Sequence, residues 1–73
     1  MPNHDFTPNR ITAIRESMHL DRTNFAAAIG VSRVEVWRWE ELGVRPQSIH
    51  VIEELERHEA VMLRASQDEA ERE

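Results

Sequence analysis

At 73 residues the chain is one domain, and folding a chain this short buries only about 60% of the surface its unfolded form exposes, so the core is marginal. It has no cysteine, which excludes disulfides and thiolate metal sites, and its apolar runs are too short to cross a bilayer. The net charge of −5 is unevenly placed: residues 1–45 hold six Arg against six Asp or Glu, whereas residues 46–73 hold three Arg against eight acids.

Residues 1–6, MPNHDF, lack the pattern of a signal peptide and are expected to be a flexible lead-in. Thr7 and Pro8 then form a helix start, with Thr7 as N-cap, and Ile11, Ile14 and Met18 recur at helical spacing, which predicts a first helix over 8–18. Asp21 caps a second helix in which Phe25, Ala26 and Ile29 share one face, and Gly30 stops it in the left-handed conformation. Val31 plugs the gap. Ser32 opens a third helix, over 32–41, and with Glu35 three residues on it makes a capping box. Two helices, a glycine turn and a small residue where they cross fit a helix-turn-helix over 22–41.

At about 100° per residue, Val36 and Trp39 fall on the inner side of the third helix, while Val34, Trp37, Arg38 and Glu41 fall outside with Arg33 at the edge. A large aromatic exposed beside two arginines is a surface normally kept for a partner. Pro46 breaks the chain after Leu42-Gly43-Val44, and a long last helix is expected over about 47–65. Ile49, Ile52 and Leu55 should cover the first and third helices. Val51, Leu55, His58, Met62 and Ala65 form a further four-three-four-three stripe, read as the seam of a homodimer. Residues 66–73, with no apolar anchor, read as an acidic flexible tail.

The segment LDRTNFAAAIGVSRVEVWRWE resembles the Cro- and lambda-repressor-like helix-turn-helix family, whose signature reads roughly L-S-Q-E-E-L-A-x-x-L-G-V-S-x-x-x-V-S-R-W-E. Leu20, Ala26, Gly30, Val31, Ser32, Val36, Arg38, Trp39 and Glu40 match it, with Phe25 and Ile29 standing for leucines, and the likeness extends over roughly residues 11–55. A MerR-type winged helix fits less well, because that family wants Arg before two adjacent aromatics, whereas Trp37 and Trp39 flank Arg38 here. The resemblance implies an all-α domain of four helices, five at most, with a long C-terminal helix, over 7–65. It implies base contacts from Arg33, Val34, Trp37 and Arg38, phosphate contacts from Arg22, Arg45 and Gln47, and a structural pair between Arg15 and Glu40. The family places Gly where His19 stands; histidine tolerates the left-handed conformation at some cost.

The expected function is sequence-specific regulation of transcription by a small repressor, of phage, plasmid or bacterial type, that binds a palindromic operator in the major groove as a homodimer. Other readings stand beside these assignments. Arg33 and Arg38 would also suit a solvated face with Arg38 paired to Glu35 and Glu41, Trp37 would suit a protein interface, and the use of Arg for all nine basic residues fits a base-composition bias. The acidic C-terminal helix would suit an antitoxin-type regulator or an adaptor gripping a basic protein. An enzyme is not expected: His4, His19, His50 and His58 lack metal-ligand spacing, no nucleophile sits beside a base, and Glu53, Glu54, Glu56 and Glu59 read as outer-face carboxylates. No cofactor, metal or membrane contact is expected, and the location would be cytoplasmic, on the nucleoid.

Overall fold

The computed structural model describes residues 5–71, and side chains through Gln67. The chain is all-helical over this span: α1 is Pro8–Ser17, α2 is Arg22–Ile29, α3 is Arg33–Trp37, and α4 is Ile49–Glu71. A π-helical turn, Arg38–Leu42, continues directly from α3.

Local chemistry sets each boundary. Thr7 is extended at φ −66° and its hydroxyl accepts from the Arg10 amide at 3.3 Å, satisfying one of the donors that a helix start leaves open. At the other end of α1, His19 takes φ 57°, the amide of His19 donates to Glu16 O at 3.0 Å and that of Leu20 to Arg15 O at 3.4 Å. This is a Schellman closure with histidine where glycine is usual. Asp21 accepts from the Asn24 amide at 2.8 Å to start α2, and Gly30 at φ 90° ends it with its amide on Ala26 O at 2.8 Å. Ser32 accepts from the Glu35 amide at 3.3 Å, so one leg of the capping box forms. The return leg does not, because the Glu35 carboxylate turns instead toward Arg38, at 3.4 Å.

The core is a single apolar cluster of Phe6, Ile11, Ile14, Phe25, Ala26, Ile29, Val36, Trp39, Val51 and Leu55, with Met18, Leu20, Val31, Ile52 and Met62 packed against it. α2 packs on α3, α1 packs on both the π-turn and α4, and α4 closes over α2. The tight pairing of α2 with α3 across Gly30 is what leaves the outer side of α3 uncovered.

Four expectations are corrected. Phe6 is fully buried, so the segment 1–6 is not all lead-in: residue 6 belongs to the core, and residues 1–4 lie outside the described part. Phe6 precedes the Thr7 cap and Ile11 lies four positions beyond it, the arrangement of a hydrophobic staple that fixes how the chain enters a helix. The third helix is not one α-helix over 32–41, since it widens into the π-turn at Arg38. α4 runs to Glu71, beyond the expected end near 65, so the tail over 66–73 is helical as far as it is described.

The fourth correction concerns which stripe of α4 faces inward. Ile49 is 63% exposed, whereas Val51 and Leu55 are buried, Ile52 and Met62 pack on the core, and His58 is half-buried. Ile49 lies about 200° around the helix from Val51, so one apolar stripe cannot hold both. The stripe Val51, Leu55, His58, Met62 therefore covers its own domain, and Val51 and Leu55 are not available as a dimer seam.

Candidate nucleic-acid interface

α3 has an inner pair, Val36 and Trp39, locked in the core, and this holds the helix by one side. On the other side Val34 is 49% and Trp37 44% exposed, with Arg33 and Arg38 also open to solvent. Arg22, Arg33, Val34 and Trp37 line one shallow concavity, so α2 contributes its first residue to the same surface. Arg38 stands beside it, one residue beyond Trp37. Arg45 and Gln47 belong elsewhere. With Ser32, Glu35 and His50 they line a separate groove between the α2–α3 turn and the start of α4.

The cations on this surface are held to different degrees. Arg33 has no hydrogen bond or ion pair among the described residues. Arg38 meets Glu35 at 3.4 Å with both side chains about half exposed, a pair worth well under ~1 kcal/mol in water. Arg45 is tied to Asp5 at 2.7 Å and to Gly43 O at 2.8 Å, again at the surface. Gln47 is exposed.

Arg22 differs. Its Nε donates to Glu40 at 2.8 Å and its Nη2 to Glu41 at 2.5 Å, and these carboxylates, Glu41 foremost and then Glu40, raise the guanidinium pKa further. Glu40 is the fixed point of the network: its side chain is 2% exposed and it also receives Arg15 Nε at 2.8 Å, while Arg15 Nη1 donates to Leu20 O at 3.0 Å. The expected Arg15 and Glu40 pair is thus present, and Arg22 is a third member that no pattern in the sequence marked. One carboxylate thereby joins α1, the start of α2 and the π-turn.

The π-turn shapes the end of this surface. The amides of Gly43 and Val44 both reach back to Arg38 O, the latter at 3.2 Å, and Gly43 takes φ 72°. The wide turn keeps Trp39 and Glu40 inward while Glu41 and Leu42 stay exposed. Such turns often occur where a helix carries function.

A second ion cluster, which no sequence pattern announced, fastens α1 to α4. Arg10 meets the Glu59 carboxylate through Nε and Nη2, both at 2.6 Å, and its guanidinium lies 4.0 Å from the centre of the Phe6 ring. The Glu59 hydrogen bond, followed by the opposing effect of burial, leaves the Arg10 pKa raised. Its signal in the sequence was faint, because 49 residues separate the partners.

Chemically, the open side of α3 offers two guanidinium groups that only donate, an indole and an isopropyl group, a set matched to an acceptor-rich partner with apolar edges. Among the described residues no group of three His, Asp or Glu side chains is placed to hold a metal ion, and no helix is long and apolar enough to cross a membrane. No family model, curated protein or solved structure matches the chain.

Proposed function

We propose that the chain is a sequence-specific DNA-binding transcriptional regulator of the lambda-repressor-like helix-turn-helix type, a small repressor that acts as a homodimer on a palindromic operator. One observation carries this reading: α3 is anchored by Val36 and Trp39 while Arg33, Val34, Trp37 and Arg38 all stand on its uncovered side. B-DNA's major groove is about 12 Å wide and admits one helix, and a guanidinium there pairs with guanine O6 and N7. Val34 and Trp37 supply apolar contact for thymine methyls or sugars. Arg22, Arg45 and Gln47 are the phosphate contacts, and Arg45 exchanges surface bonds to Asp5 and Gly43 O to make one.

Selection from randomised duplex DNA at two salt concentrations tests the reading. The expected result is an enriched inverted repeat whose half-site centres lie about 34–36 Å apart or a multiple of it, with affinity falling as salt rises. No enrichment at either salt overturns it. A basic protein that co-purifies with the chain would then support the second reading, an antitoxin-type regulator or adaptor, for which the acidic α4 is the motive. Within the chain Glu59 is already held by Arg10 and Glu54 by Arg57 at 2.5 Å.

A further inference from the structure

We infer that Glu41 is a built-in competitor for DNA phosphate, holding Arg22 closed until the backbone displaces it and the freed carboxylate turns to the bases. The inference rests on the DNA-binding reading above and adds a residue that sets affinity and selectivity.

The geometry divides the Arg22 guanidinium between two anchors of different strength. Its Nε is bound by Glu40, whose side chain is 2% exposed and also held by Arg15. Its Nη2 is bound by Glu41, whose side chain is 49% exposed. Glu40 therefore fixes where the guanidinium sits, and Glu41 is the partner that can leave. Arg22 lines the same concavity as Arg33, Val34 and Trp37, so a duplex seated on those residues brings its phosphates to the Nη edge. A phosphate oxygen accepts from that edge as a carboxylate does, and although Nη2 carries a second N–H, two anions crowded on one edge repel each other, so the incoming phosphate competes with Glu41 by charge.

The exchange has two consequences. Arg22 is pre-positioned for phosphate, yet each binding event must break its contact with Glu41. The released carboxylate is then an acceptor beside a groove rich in acceptors, and the partners open to it are exocyclic amino groups such as cytosine N4. Glu41 should lower affinity for DNA in general and penalise it least where an amino group meets the carboxylate.

The test is a double-mutant cycle with Glu41→Gln, Arg22→Gln and the double variant, using a mixed-sequence duplex and the selected operator as probes. Glu41→Gln is expected to bind the mixed duplex about five-fold tighter, the size of one surface ion pair, to gain about one released ion in its salt dependence, and to narrow the preference for the operator. In the Arg22→Gln background the same change should have little effect. Equal tightening in both backgrounds would mean that Glu41 merely repels DNA through space, and would overturn the exchange. DNA binding by the wild type with no gain in Glu41→Gln overturns the inference alone, whereas no binding by any variant overturns the DNA-binding reading and this inference with it. Because Arg22 also touches Glu40, the carboxyl resonances in the wild-type chain give an independent readout. On adding duplex, the Glu41 signal should shift while that of Glu40 stays; a static Glu41 signal in a bound complex also overturns it.

Discussion

Arg15 and Glu40, 25 residues apart, meet through two hydrogen bonds of 2.8 and 3.3 Å, and the Glu40 carboxylate is all but sealed from water. Truncating Glu40 to Ala leaves both Arg15 and Arg22 without their shared partner. Loss of one member of a buried pair costs about 3–5 kcal/mol as a general figure, and because the two arginines retain some access to water the expected loss is about 2–3 kcal/mol. Urea denaturation measures it. The paired change Arg15→Met with Glu40→Leu should recover much of the loss, and a double variant no better than Glu40→Ala would refute the desolvation argument.

His19 at φ 57° is in a conformation that disfavours any residue with a Cβ. Replacing it with Gly should stabilise the domain by up to about 1 kcal/mol, which in a domain this size raises the melting temperature by roughly 4–8 °C. Thermal melting decides the matter: an unchanged or lowered midpoint would show that the histidine side chain contributes more than its backbone strain removes.

Phe6 is expected to behave as a core residue despite its place near the N-terminus. Phe6→Ala should cost about 3–4 kcal/mol, because burial of the ring is forfeited, a cavity is left behind and the Arg10 guanidinium no longer has an aromatic face beneath it. A urea midpoint within error of wild type would return residue 6 to the solvent.

Ile49 and Val51 distinguish the two stripes of α4. Ile49→Ser should change stability by less than about 0.5 kcal/mol, as exposed positions generally do, whereas Val51→Ala removes buried methyls and should cost about 1–2 kcal/mol. Denaturant titration of both variants gives the comparison, and the reverse order would place the other face of α4 inward.

Arg33 has no partner within the described chain, so Arg33→Ala should leave the circular dichroism spectrum and melting temperature unchanged while costing about 1–3 kcal/mol of discrimination between operator and mismatched DNA. Arg38→Ala should do the same, losing among the described residues the weak Glu35 pair. Operator binding equal to wild type in both variants, by fluorescence anisotropy, would remove these residues from the interface.

Short-range chemistry was legible in the sequence alone. The Thr7, Asp21 and Ser32 caps, the Gly30 stop and the division of Val36 and Trp39 from Val34 and Trp37 each depend on residues within one helical turn, where covalent geometry fixes who can meet whom. The left-handed His19 was implied only by the resemblance, which has glycine at its position. Long-range selection was not legible. Two apolar stripes on α4 were legible, one read as core cover and the other as a dimer seam, and only the packing of α4 on α1 and α2 turned Val51 inward and left Ile49 out. The staple signal of Phe6 two residues before Pro8 was present in the sequence, but its burial in the shared core cluster, with the Arg10 guanidinium over its ring, belongs to the folded chain. Arg22 is the clearest case: the resemblance implied a phosphate contact, and only the fold places Glu40 and Glu41 within hydrogen-bonding reach of its guanidinium. Charges pair by distance in space, which a sequence encodes only through the completed fold.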